Sequence, residues 1–196
     1  MAHSVAAPVV LTDPGMLWLA ALGTADPTNT VAGSVFTDDP AVAYIPLGAT
    51  EDGSTFQYQT NVEAVSVAEF FDPIKYATTS RSGSIAFNLA SWTLSNYNRA
   101  LNGGVAALTA TSGTGATSLF KVEPPTPGNE VRAMILWEST DRTLRLLCRQ
   151  TIQGGTISTA FKKAPDKAVI PCTFNMEIPT GLTTPFTMWS AGTSRG

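Results

Sequence analysis

Between Phe56 and Glu63 the chain alternates without a break. Phe56, Tyr58, Thr60 and Val62 fall on one side, and Gln57, Gln59, Asn61 and Glu63 on the other. A period of two is the spacing of a strand with one buried face, because successive side chains in a sheet point to opposite faces. The pattern recurs at Ile85, Phe87 and Leu89, with Ala86 and Asn88 between them. It recurs again over 168–178, where Ile170, Cys172, Phe174, Met176 and Ile178 point inward and Thr173, Asn175 and Glu177 outward. A chain with three such segments is committed to a half-buried antiparallel sheet.

The remaining segments agree. Residues 16–22 (MLWLAAL) form a short apolar run, predicted as a strand buried on both faces. Residues 44–47 lead through Gly48–Gly53, whose Asp52-Gly53 pair predicts a turn, into the alternating strand. Further strands are predicted at 119–122, 131–138, 143–150 and 186–189, with Ser139-Thr140-Asp141-Arg142 closing a hairpin. The period changes only in 91–102. There Leu94, Tyr97 and Leu101, with Ala100 beside them, mark one face of a helix. Ser91 or Thr93 can cap its start, and Asn102-Gly103-Gly104 supplies a left-handed stop. The expectation is an all-β fold with one short α-helix, built as two packed antiparallel sheets in a β-sandwich or barrel. The body spans 15–189, with an N-terminal arm at 1–14, a long loop at 24–43 and a polar tail at 190–196.

Charge narrows the function. Only 14% of the 196 residues are charged and 43% are hydrophobic, so the surface is neutral and made of small polar groups. Residues 1–74 hold nine acids and no lysine or arginine, whereas 75–196 hold six acids and twelve bases. Such asymmetry is read either as complementary surfaces or as two signs that intersperse once the chain folds, and the net charge of −3 gives no support for a nucleic-acid binder. Cys148 and Cys172 lie in apolar strands and are expected as buried free thiols, in keeping with a reducing compartment. The N-terminus does not read as a signal peptide, and no apolar run reaches membrane-spanning length.

Chemistry finds little to work with. His3 is the only histidine, and it stands in the arm, where nothing would lock its imidazole for base catalysis. One histidine and two cysteines do not make a zinc set. Asp38-Asp39 and Glu51-Asp52-Gly53 lack the alternating oxygen ligands of a calcium loop. Residues 112–117 (SGTGAT) lack the Gly-Lys-Ser/Thr ending of a phosphate loop. The chain is therefore read as a non-enzyme without metal or cofactor.

One stretch carries a family likeness. It includes the Gly48–Gly53 turn with Thr50-Glu51-Asp52-Gly53, then Phe56-x-Tyr58, Val67-Ala68-Glu69 and Asp72-Pro73-Ile74. Thr78-Thr79-x-Arg81 and the helix end Ala100-Leu101-Asn102-Gly103-Gly104 complete it. Together these resemble the major tail tube proteins of long-tailed, siphovirus-like bacteriophages, especially those of actinobacterial hosts. Phe70-Phe71 stands where that family has a more polar pair, and Asn96-Tyr97 replaces a more aliphatic helix face. The resemblance implies packed antiparallel sheets flanked by a helix, and hexameric rings stacked head to tail in a virion. Neighbouring strands would complete a barrel around a lumen through which DNA passes unbound. It also implies tape measure, tail tip and terminator proteins as partners, assembly in the host cytoplasm, and no membrane.

This reading assigns expected surfaces. Loop 24–43, with Asp26, Asp38 and Asp39, is expected to meet Lys162, Lys163 and Lys167 of a neighbour. Arg145 and Arg149 share one strand face, read either as solvated or as a subunit contact. DNA must slide, and each basic contact adds salt-dependent grip. The lumen is therefore expected to be neutral to acidic, lined by Gln57, Gln59, Asn61 and Glu63 or by Thr173, Asn175 and Glu177. The alternatives are a tail terminator or a secretion-system tube protein, and a carbohydrate-binding β-sandwich. The last needs an exposed aromatic platform, for which Trp92 and Trp189 are the candidates, both expected to be packed.

Overall fold

A computed structural model describes residues 14–66, 68, 71–113, 115–161, 163 and 166–192. His3, Lys162, all but the last residue of the N-terminal arm, and the tail from 193 lie outside the described residues. The strands in chain order are β1 (Met16–Ala21), β2 (Val31–Ala32), β3 (Val35–Phe36), β4 (Ile45–Pro46), β5 (Thr50–Val65) and β6 (Lys75–Leu89). After the helix α1 (Leu94–Ala100) come β7 (Ala110–Ser112), β8 (Leu119–Phe120), β9 (Ala133–Glu138), β10 (Leu144–Gln153), β11 (Ile170–Met176) and β12 (Phe186–Ser190). The fold is all-β with one short α-helix, and every strand pairing is antiparallel.

β10 organises the sheet. One edge pairs with β9, and the other is shared in succession by β12, from Leu144 to Cys148, and by β11, from Thr151 to Gln153. A bulge between Cys148 and Thr151 bends the strand at the handover. One branch therefore runs β4-β1-β9-β10-β12 and the other continues through β11, β6 and β5. Their inner faces close on each other. Leu17, Leu19, Ile135 and Leu146 of the first branch pack with Ile85, Phe87, Leu89, Ile170 and Phe174 of the second. The free ends of the branches also meet, since Phe186 of β12 lies edge-on to Phe56 and Tyr58 of β5, with ring centroids 5.1 Å apart in both pairs. Burying each such side chain contributes about 1.5–3 kcal/mol.

The helix starts where the sequence places it. Thr93 caps it, its hydroxyl accepting from the Asn96 N–H at 3.1 Å. Its end falls in the expected Asn102-Gly103-Gly104 stop, where Asn102 (φ 59°) takes the left-handed position after the last turn. Gly103 N–H then reaches back to the Asn98 carbonyl at 2.9 Å, closing a Schellman-type cap. The Asn102 side chain bonds both the N–H and the carbonyl of Gln153, tying the helix end to β10. The buried helix face centres on Asn96 and Ala100. Asn96 donates to the carbonyls of Leu47 and Ser91, each at 2.9 Å. The Asp52-Gly53 turn is corrected. Those residues sit inside β5 as a bulge between Thr50 and Ser54, where Gly53 takes a left-handed φ of 80°, and a second left-handed glycine, Gly48 (φ 87°), precedes the strand.

The β5–β6 hairpin outruns the body. β6 pairs with β11 only from Ser84 to Leu89, yet it stays paired with β5 as far as Lys75 opposite Val65. Beyond Gly83 the hairpin is a two-stranded ribbon on which Val62, Ile74 and Tyr76 are exposed. Gly83 sits where the ribbon leaves the body. A Cβ there would meet Met176 Sδ at 2.9 Å and Tyr58 Cδ2 at 3.0 Å, so any side chain would have to displace the Met176 thioether.

Core and ribbon should therefore respond differently to mutation. Ile135→Ala, at a fully buried position, is expected to lower stability by about 2–5 kcal/mol in urea unfolding. Val62→Thr on the ribbon should stay within about 0.5 kcal/mol in the same measurement.

Candidate functional site

Two surfaces stand out: a loop clamped onto the outer face of one branch, and an uncharged outer face on the other.

The loop is 22–43. β9 reads MILW at its centre because both of its faces are covered, Ile135 by the main core and Met134 and Leu136 by a second apolar cluster with Ala20, Tyr44 and Leu147. The loop lies over that second face, and arginines from the β9–β10 hairpin fasten it. Arg145 is buried, with its side chain closed off from solvent. It donates to Glu138 at 2.5 Å, to the Asp38 carbonyl at 2.6 Å and to the Thr28 carbonyl at 3.0 Å, and stacks over the Phe36 ring at 4.4 Å. Arg142 donates to the Asp38 carbonyl and pairs with Asp39 at 3.1 Å. It does so from a left-handed backbone (φ 56°) in the hairpin turn, a conformation that costs a non-glycine residue about 1 kcal/mol or more. Arg149 holds Asp26 through both carboxylate oxygens, at 2.5 and 2.7 Å. Tyr44 closes the far end, donating to the Ala25 carbonyl at 3.0 Å. Burial first, then the Asp26 carboxylate, pushes its phenol up to about 12.

Within the chain Asp26, Asp38 and Asp39 pair with Arg149, Arg145 and Arg142, so their charges are already met before any lysine of a neighbour is considered. Lys163 is exposed, and Lys167 pairs with Glu51 at 3.6 Å. The face bearing Arg145 and Arg149 is not the solvated face expected, because the loop covers it, closing off Arg145 and leaving Arg149 mostly buried. Of the two readings of the charge asymmetry, interspersion on folding is seen here, since three acids of the first segment lie over the basic hairpin.

The second surface is the outer face of β11, β6 and β5. Register puts Asn175 beside Ser84 and Ser84 beside Gln57, with Thr173, Ala86 and Thr55 in the next row. Gln59 opposite Ser82 and Asn61 opposite Ser80 continue it along the ribbon. Gln59 donates to Asn61 at 2.9 Å, and Asn61 to Ser80 at 2.8 Å. These rows hold hydroxyls and carboxamides and carry no charge. Glu63, opposite Ala77, is the first acid met outward along β5 and is exposed. Glu177, beyond β11, is bound by Arg132 at 2.9 Å and Gln150 at 2.6 Å. The Arg132 bond chiefly, and then Gln150, holds its carboxyl below the usual glutamate range. Of the residues expected to line a lumen, Gln57, Gln59, Asn61, Thr173 and Asn175 share one continuous surface.

Trp92 departs from expectation. It is 40% exposed and stacks near Tyr97 and Phe161, each at 5.9 Å between ring centroids, so it is not packed away. Cys148 and Cys172 are buried free thiols whose pKa burial raises to about 12. Among the described residues no group of His, Cys, Asp and Glu is placed to hold a metal ion, and no helix is long and apolar enough to cross a membrane. No protein-family model matches the chain, and no curated protein matches it in sequence.

The clamp separates buried from exposed ion pairs. Arg145→Ala strands Glu138 in the interior and should cost about 3–5 kcal/mol, whereas Arg149→Ala, with a half-exposed partner, should cost no more than about 1 kcal/mol. Chemical denaturation of both variants checks this ordering. Because the folded-state pKa of Glu177 is depressed, its contribution is present above the ordinary value of 4.5 and is lost as pH falls below it. Glu177→Gln should accordingly flatten the acid limb of a stability–pH profile.

Proposed function

We propose that this protein is a structural subunit that assembles with copies of itself into stacked rings, as the tail tube of a long-tailed phage. The observation that carries this reading is the outer edge of β5, which no strand among the described residues covers. It is the last strand of its branch, and from Ser54 to Val62 it carries neither charge nor proline. Soluble monomers shield such edges with lysine, proline or shortness, because unpaired N–H and C=O groups recruit other strands. Here nine consecutive residues are left unshielded. The ribbon beyond Gly83 makes the same demand, since an isolated two-stranded hairpin is marginal in water.

The uncharged outer face supports the second half of the proposal. A lumen built from the rows around Gln57, Ser84 and Asn175 offers phosphates no cation, so DNA crosses it without counterion-release affinity. The clamped loop has a structural part in this reading. It seals the subunit on the side away from that face and leaves assembly to the β5 edge and the ribbon. Tape measure, tip and terminator proteins are the partners such a tube requires.

The exposed rings of Trp92 and Phe161, with Tyr97 half-buried beside them, favour a second reading, a carbohydrate-binding module, since aromatic faces are what sugars stack on. Cryo-electron microscopy of the purified protein, paired with glycan binding, separates the two. Striated tubes are expected, and Gln59→Lys, which charges the β5 edge, should raise the concentration needed for assembly about tenfold or more. A persistent monomer at high concentration that binds glycan through Trp92 would replace the tube reading with the second.

A further inference from the structure

The ribbon ends in an unusual exposure. Phe71, in the turn between β5 and β6, is fully solvent-exposed, and Ile74 beside it is more than half exposed. Between them stands Asp72, which has no hydrogen-bond or ion-pair partner among the described residues. An aromatic ring of this kind can bury about 150–250 Å² against a partner. The hairpin therefore presents an apolar knob with an unpaired carboxylate at its side.

A matching recess lies at the other end of the same hairpin. A groove of about 360 Å³ opens where the ribbon leaves the body, walled by Tyr58, Met176, Ile178, Pro185 and Phe186. Arg81 stands on its rim, exposed, and likewise without a partner among the described residues. Ile178 is 58% exposed in the isolated subunit. Knob and recess carry complementary charges and matching apolar character. One chain cannot join them. Arg81 is opposite Thr60, and the five strand residues from there to Val65 hold it roughly 17 Å short of the turn.

We infer that Phe71 of one copy seats in the groove of the next, with Asp72 of the first against Arg81 of the second. The inference rests on the self-assembly reading and adds the residues of one contact. The contact is heterologous, with different patches on the two sides, so it repeats from copy to copy and propagates a ring or a stack rather than closing a pair. It also completes the ribbon, whose turn and base are each covered by a neighbour.

Charge reversal and cross-linking test it together. Asp72→Arg and Arg81→Asp should each reduce tube formation at least tenfold, measured by sedimentation and electron microscopy, and the double variant should restore it. Both positions are exposed, so circular dichroism and the unfolding midpoint should match wild type. In parallel, Asp72→Cys and Arg81→Cys chains of different mass are mixed under mild oxidation, and the mixed disulfide-linked pair is expected. Tubes that form equally well in all variants would overturn this contact while leaving the tube reading intact. Cross-links of 72 to 72 or of 81 to 81, without the mixed pair, would replace it with a two-fold contact. A wild-type chain that does not assemble, together with cysteine variants that do not yield the mixed pair, would remove both inferences.

Discussion

The bend in β10 is the constraint on which the rest of the molecule depends. A strand that hands one edge from β12 to β11 within a few residues forces a single hydrogen-bonded sheet to fold over itself. Thr151, buried at the bend, fastens the turn by donating its hydroxyl to the Ala133 carbonyl at 2.8 Å. From this one irregularity follow the closed core, the meeting of Phe186 with Phe56 and Tyr58, and the position of β5 as an outermost strand. A straight β10 would leave the inner faces of the two branches without each other.

The second determinant is the pairing of the acidic first third with the basic hairpin. Buried charge is costly unless it is paired and hydrogen-bonded. Arg145 meets that condition with a carboxylate, backbone carbonyls and an aromatic face. The arrangement specifies one path for a long segment that has little apolar content of its own. It also explains how a chain with so few charged residues can place several of them inside, where they fix geometry rather than solubility.

Much of this architecture is legible in the residues. The alternation at 56–63, 85–89 and 170–176 identifies three strands, and Thr93 marks the helix start. The faces expected inward do turn inward at Phe56, Tyr58, Ile85, Phe87, Leu89, Ile170, Cys172 and Phe174, whereas Thr60, Val62 and Ile178 are exposed where the chain leaves the body. What escapes has physical causes. Asp52-Gly53 has the chemistry of a turn and Gly53 does take a left-handed φ of 80°, but the pairing of Thr50 and Ser54 with β6 on either side makes it a bulge within the strand. Asn96 is polar, and no periodicity rule would bury it, yet two carbonyls wait for its amide. Arg145 looks like a solvated position because what covers it comes from more than a hundred residues away, and no local window contains that information. The uncharged face is readable strand by strand, whereas its continuity needs the register of β11, β6 and β5.

Gly83 has a mechanical consequence. It marks the line where a stiff, multiply paired body gives way to a ribbon held by a single row of hydrogen bonds. The eight residues back to Lys75 make a lever of roughly 26 Å, so a pivot of about 10° at its base sweeps the far end through roughly 5 Å. The body can stay rigid while that end tracks a target that shifts or tilts. Compliance is thus concentrated in one slender element, and the fold can tolerate curvature around it without disturbing its core.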